Sequence, residues 1–170
     1  MFFNKKKCPN CGASNQKDAT RCVRCGVPFP PEPIKHPEAF KDLDEAIRLN
    51  PQNAEAYYQR GLAYQKEGYA DRAIQDFDMA IRLDPALAKA YSNRGYAYLN
   101  QKQYDRAIAD CTEAIKLNPD DAVARYNRGV TYKLVDKKYD AKDDFEKVIA
   151  LAKDPRLIQI TKQQLKEVSK

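Results

Sequence analysis

Residues 54–87 read AEAYYQRGLAYQKEGYADRAIQDFDMAIRLDPAL, and residues 88–121 read AKAYSNRGYAYLNQKQYDRAIADCTEAIKLNPDD. Set one beneath the other, the two lines share fixed columns, and residues 122–155 continue them. Gly61, Gly95 and Gly129 stand 34 residues apart. The same interval separates Tyr64, Tyr98 and Tyr132, and also Ala73, Ala107 and Ala141. It recurs for Arg60, Arg94 and Arg128, and for Pro51, Pro85 and Pro119. A period of this length marks stacked supersecondary units, each contacting its neighbours.

Each period reads as two helices. The first begins near Ala54, Ala88 or Ala122. The second closes at Ile81-Arg82-Leu83-Asp84-Pro85 and its equivalents, because proline cannot continue the hydrogen-bond ladder. Gly61, Ala73 and Ala80 let the paired helices approach, while Tyr64 and Phe77 fill the space beside them. On that argument Gly95→Leu overpacks the pair and costs about 1–3 kcal/mol. Cys111 falls on a core column and reads as an apolar filler. Runs such as Asp105-Arg106 and Lys142-Asp143-Asp144 read as solvated helix faces.

The pattern also extends past the full periods. Ala39, Leu43, Ala46, Ile47, Leu49 and Pro51 match Ala73, Phe77, Ala80, Ile81, Leu83 and Pro85, so residues 38–51 read as half a unit. The third unit is looser. Arg125 replaces an aromatic residue, Val148 replaces an alanine and the closing proline slips to Pro155. Its Tyr139 is displaced by one position relative to Tyr104, which predicts a different turn between its helices. Residues 156–170 read as a capping helix with Leu157, Ile158, Leu165 and Val168 on one side.

The columns Tyr57, Gly61, Tyr64, Ala73, Phe77, Ala80 and Pro85, repeated as Tyr91, Gly95, Tyr98, Ala107, Cys111, Ala114 and Pro119, resemble the tetratricopeptide repeat family. The resemblance implies an all-α, right-handed superhelical array over residues 38–170. It would comprise a half-repeat at 38–51, full repeats at 54–87, 88–121 and 122–155, and a cap at 156–170. It also implies a concave groove lined by the first helix of each repeat, holding a peptide or protein partner. In this chain the peptide-binding positions would be Tyr58, Gln59, Leu62 and Lys66; Lys89, Asn93, Tyr96 and Asn100, with Ser92; and Tyr126, Asn127, Val130 and Lys133. The plain alternative is an ordinary solvated surface. Gln59, Asn93 and Asn127 form one amide per repeat, able to donate to and accept from a peptide backbone. Tyr58, Tyr96 and Tyr126 add apolar area with a polar tip. Some family members clamp an acidic C-terminal tail with Lys and Asn in one repeat, Asn in the next, and Lys and Arg in the third. Here only Asn93 fits, so no such clamp is expected.

At the other end of the chain, Cys8-Pro9-Asn10-Cys11-Gly12 and Cys22-Val23-Arg24-Cys25-Gly26 are two C-x₂-C pairs. Four thiolates on two tight turns suit one tetrahedral, structural Zn²⁺ with no open position. Cys8, Cys11, Cys22 and Cys25 are the expected ligands. Glycine after each pair can take positive φ and let the turn wrap the metal. Two disulfides are the alternative, disfavoured by an odd total of five cysteines and by the compartment argued below. The pattern resembles short zinc ribbons, which implies a small β-type unit over residues 1–26. Residues 27–37 hold five of the ten prolines and predict an extended spacer of roughly 30 Å. His36, the only histidine, reads as a solvated linker residue.

Charge is lopsided. Of the net +6 over 170 residues, residues 1–35 contribute +5, from seven Lys/Arg against two Asp/Glu. A basic tip can touch nucleic acid or an acidic partner. No aromatic residue lies between Cys11 and Cys22 for base stacking, which weakens the nucleic-acid reading and leaves backbone contact by Lys5, Lys6, Lys7, Lys17, Arg21 and Arg24. No apolar run reaches the ~20 residues of a membrane span, and the first residues lack the apolar centre of a secretory signal. Both observations lead us to expect a cytoplasmic protein without a membrane partner. No phosphate loop and no nucleophile with a base appear, so no enzyme is expected. The leading reading is a protein-binding adaptor or scaffold with the ribbon as a second contact. The alternatives are nucleic-acid association through the ribbon and self-association through the repeats.

Overall fold

The computed structural model describes residues 5–7, 11–16, 23–25 and 37–169. The chain divides into two compact units, Met1–Pro37 and Glu38–Lys170.

In the first unit, strands β1 (Lys5–Lys7) and β2 (Ser14–Gln16) pair antiparallel, with Lys6 opposite Asn15. Gly12 lies between them at φ +69°, a conformation that glycine takes without a Cβ penalty. The Asn15 side chain is buried. Its Nδ2 donates to the Ala13 carbonyl at 2.7 Å, and its Oδ1 accepts from the Val23 amide at 2.8 Å. Cys11 is half-buried and Cys25 exposed. Cys8, Cys22, Lys17, Arg21, His36 and the spacer up to residue 36 lie outside the described residues. Among the described residues, no three His, Cys, Asp or Glu side chains gather where they could hold a metal ion.

The second unit is all helix. A 3-10 turn (Pro37–Phe40) leads into α1 (Lys41–Leu49). Three helix pairs follow: α2 (Ala54–Lys66) with α3 (Ala70–Leu83), α4 (Ala88–Asn100) with α5 (Tyr104–Leu117), and α6 (Ala122–Leu134) with α7 (Lys138–Leu151). Helix α8 (Pro155–Val168) closes the series. No helix among the described residues is long and apolar enough to cross a membrane.

Local chemistry explains the helix ends. Asn53 and Asp121 accept from the Ala56 and Ala124 amides and satisfy donors that the first turns of α2 and α6 leave orphaned. Asp154 does the same for α8, with Pro155 behind it at the first helical position. Between the helices of each pair the chain turns through one left-handed residue: Gly68 at φ +84°, Lys102 at +60° and Asp136 at +60°. The following amide then bonds back to the carbonyl of Tyr64, Tyr98 or Tyr132 at 2.8–2.9 Å. The third turn therefore matches the others, contrary to the expectation drawn from Tyr139. The displaced tyrosine simply points into solvent, 91% exposed.

Within each pair a glycine faces the partner helix. A Cβ on Gly61 would sit 2.7 Å from the Phe77 ring, on Gly95 2.8 Å from Cys111 Sγ, and on Gly129 2.8 Å from the Phe145 ring. Phe77, Cys111 and Phe145 are fully buried, so Cys111 is indeed a core filler. The half-repeat packs less completely. Leu49 is 70% exposed rather than buried, and α1 has no fully buried residue. Phe40, just ahead of it, stacks on Tyr64 with ring centroids 4.5 Å apart and is buried. At the far end α8 turns Thr161 and Val168 inward, with Leu157, Ile158 and Leu165 half-buried.

The largest departure from the sequence reading is a ladder of buried ion pairs. Arg60 grips Asp76 with two parallel hydrogen bonds of 2.7 and 2.8 Å. Arg94 grips Asp110 at 2.7 Å for both bonds, and Arg128 grips Asp144 at 2.8 and 2.7 Å. Asp144 is buried, not part of a solvated face. The bidentate fork gives these pairs their geometry. Burial lowers the arginine pKa values, most of all at Arg94, but the hydrogen bonds donated to the aspartates and the aspartates' negative charge outweigh it and raise all three above the usual value.

Candidate peptide-binding site

Helices α2, α4 and α6 touch one another in series, whereas α3, α5 and α7 each meet only their neighbours in sequence. The first helices of the repeats therefore form the inner layer, and their free side is the candidate binding face.

On α2, Gln59 and Lys66 are exposed and Leu62 half-buried. Gln59 donates to Glu55 at 2.6 Å. Tyr58 is not a surface residue; it is buried, 6.0 Å from the Phe77 ring. Asn93 Nδ2 donates to the Tyr58 hydroxyl at 3.2 Å and to the Lys89 carbonyl at 2.8 Å. Burial raises the Tyr58 pKa, so the hydroxyl keeps its proton. Lys89 lies 4.6 Å above the Tyr58 ring and 2.8 Å from Glu55. Burial pushes the Glu55 carboxyl up, but hydrogen bonds from Lys89 and Gln59 outweigh it and leave the pKa below the usual value.

On α4, Tyr96 is 40% exposed and Asn100 is exposed, while Ser92 is buried. On α6, Asn127 is buried, and its backbone carbonyl accepts from the Thr131 hydroxyl at 2.7 Å. Tyr126 and Val130 are half-buried and pack against the cluster of Ala141, Phe145 and Val168. Lys133 reaches across to α8, donating to Gln164 at 2.8 Å and pairing with Glu167.

These placements break up the expected amide ladder. Gln59 faces solvent, Asn93 braces Tyr58, and Asn127 is interior. Tyr58, Asn127 and Ser92 belong to the scaffold, and Tyr126 and Val130 largely so. Lys66, Tyr96 and Asn100 are exposed and make no side-chain hydrogen bond or ion pair among the described residues; Gln59 is exposed as well and Leu62 half-buried. A column test could have found the scaffold role. Position 58 lies three residues before Gly61, on the side of α2 that meets Phe77, and that spacing marks it as a buried position.

Two tetratricopeptide repeat patterns match residues 88–121 and 122–155, and a TPR repeat pattern matches residues 35–68 and 70–102. A comparison with curated proteins gave no match. The second TPR domain of human RPAP3, solved in complex with the HSP70 peptide SGPTIEEVD, is 33% identical over 69% of this chain and 95% of that one, with a TM-score of 0.62. The second TPR of Spaghetti (RPAP3), bound to the HSP90 peptide SRMEEVD, is 38% identical over 64% of this chain and 99% of that one, with a TM-score of 0.59. MamA is 26% identical over 76% of this chain and 74% of its own, with a TM-score of 0.69. With its repeat columns, its helix pairs and these matches in agreement, the chain belongs to the tetratricopeptide repeat family.

Proposed function

We propose that the protein is a non-enzymatic adaptor that holds a peptide or protein segment against the inner faces of α2, α4 and α6. The supporting observation is that Lys66, Tyr96 and Asn100 stand exposed along the inner layer with no hydrogen bond or ion pair inside the chain, among the described residues. An exposed tyrosine flanked by polar groups is the composition of a binding surface. The RPAP3 domains solved with HSP70 and HSP90 peptides support the same use of the fold.

The partner is not of the acidic-tail kind. Lys89 and Lys133 are already neutralised by Glu55 and Glu167. The test is a titration of the full chain with SRMEEVD beside capture from nuclease-treated lysate. We expect no saturable peptide binding at low micromolar concentration, and protein partners that are lost when Tyr96→Ala and Asn100→Ala are combined. Capture unchanged by that double substitution would sink the reading.

The four cysteines extend this proposal. Cys11 adjoins Gly12 in the β1–β2 turn, and Asn15 ties that turn to Val23, which lies between Cys22 and Cys25. One buried amide thus links both C-x₂-C segments. Cys8, Cys11, Cys22 and Cys25 would hold a single structural Zn²⁺, and a cytoplasmic setting would keep the thiols reduced. Metal analysis should find one zinc per chain, lost on Cys25→Ser. A chain that neither carries nor takes up zinc would remove this part. The exposed Lys7 at the end of β1 favours a second reading, an electrostatic contact with nucleic acid. Its binding must weaken steeply with salt.

A further inference from the structure

Position 112 breaks a period that the rest of the ion-pair ladder keeps. Arg60 holds two carboxylates: Asp76 through its fork and Asp44 through Nη1 at 2.8 Å. Arg94 likewise holds Asp110 and, through Nη1 at 2.6 Å, Asp78. Arg128 holds Asp144 in the same way, but its Nη1 meets the Thr112 hydroxyl at 3.1 Å. Asp44, Asp78 and Thr112 occupy one 34-residue column.

A second change occurs at the same place. Arg125 takes the column of Tyr57 and Tyr91, whose rings lie 5.6 Å from Arg60 and Arg94. The Arg125 Nη1 stands 3.9 Å from the Asp144 oxygen that Arg128 also binds. Its Nη2 donates to the Pro119 carbonyl at 2.9 Å, and its Nε is buried without an acceptor. In direct ion pairs, the first two junctions therefore set one guanidinium against two carboxylates and the third sets two guanidiniums against one, while Arg72 and Arg106 lie over the Tyr64 and Tyr98 rings and Lys137 over Tyr132. Two guanidiniums in a site mostly shielded from water repel, and buried donors without acceptors are costly. Thr112 is exposed, so the deficit opens to solvent there. Its hydroxyl can donate as well as accept.

We propose that this α5–α6 junction is an anion-binding subsite, where Thr112, Arg125 and Arg128 receive one carboxylate or phosphate group in the place that Asp44 and Asp78 fill internally. It uses none of the inner-face residues above, so a partner's anionic group can dock here independently of the groove.

Thermal unfolding of the full chain in chloride, phosphate and acetate at matched ionic strength tests it. Phosphate stabilises many proteins by exclusion from their surfaces. The readout is therefore the difference from two variants that restore what other repeats carry, Thr112→Asp and Arg125→Tyr. In chloride, Thr112→Asp should melt roughly 2–4 °C above the wild type. The wild type should gain a similar increment from the anion, and both variants should lose it. The wild-type Thr112 and Arg128 amide resonances should shift saturably as the anion is added. A response to phosphate alone assigns a phosphate group, to acetate alone a carboxylate, and to both any oxyanion. Equal increments in all three proteins, with no saturable shift, would overturn the proposal.

Discussion

The second and third repeats share one backbone and differ in what balances their buried arginines. Arg94 sits between Tyr91 and Tyr98 and binds two aspartates; Arg128 sits beside Tyr132 alone, with Arg125 crowding the one aspartate they share. The 34-residue geometry tolerates this because close helix packing is carried by Gly95 and Gly129 and their partners, not by the charges. Shape is repeated strictly, and charge is where one repeat can be told from another.

Removing the carboxylates separates the two repeats most sharply. Asp144→Asn leaves two arginines without a counter-ion, and we expect a loss of about 3–5 kcal/mol in urea unfolding, the usual cost of breaking a buried pair from one side. Asp110→Asn leaves Asp78 in place and should cost about half as much. Equal losses would show that the charge deficit at the third junction is not felt.

Packing comes next. Gly95→Leu drives a side chain into Cys111 and the Ala107 carbonyl, with an expected cost of about 1–3 kcal/mol. Cys111→Ala in the same chain should recover part of that loss, because Sγ is the nearest atom. The matching Gly129→Leu meets the Phe145 ring and should cost no less.

A pH effect distinguishes Cys111 from the phenylalanines in its column. Burial pushes its thiol up to about 12 from an ordinary 9.0. The folded state then holds the proton more tightly than the unfolded one. Its contribution is intact below pH 9, falls as pH rises, and is gone above about 12. By pH 10 the loss is about 1 kcal/mol, and Cys111→Ala should remove that component of the slope. Thiol reagents should reach Cys111 only on unfolding.

The smallest effect tests the turns. Lys102 and Asp136 hold positive φ where Gly68 does so without strain. Lys102→Gly and Asp136→Gly should each stabilise by about 0.5–1 kcal/mol, and Gly68→Ala should destabilise by a similar amount. A gain in one turn only would contradict their identity.

Much of this architecture is legible in the residues. Helix starts at Ala54, Ala88 and Ala122 follow from the period, and the glycine columns foretell the close approaches. The candidate site was less legible. Tyr58 and Asn127 fall on the expected inner helices, yet both are buried, Tyr58 between Phe77 of its own repeat and Asn93 of the next. Whether an inner-layer residue faces a ligand or the next helix depends on a rotation smaller than one residue step. The Arg–Asp ladder was visible as an aspartate column at Asp76, Asp110 and Asp144, in step with Arg60, Arg94 and Arg128 but sixteen residues away. Nothing local joins residues at that distance.

The sequence by itself determined the repeat, its length, its helix pairs and its weak third copy. Periodicity is a property of the chain, and backbone hydrogen bonding enforces it locally. Only the tertiary structure decided which polar residues are buried. Asp144 became interior, Asn93 a brace for Tyr58, and Lys133 a tether to α8, because each is satisfied by a partner from another helix. Thr112 gained its meaning in the same way, from the arginine that meets it across the repeat boundary.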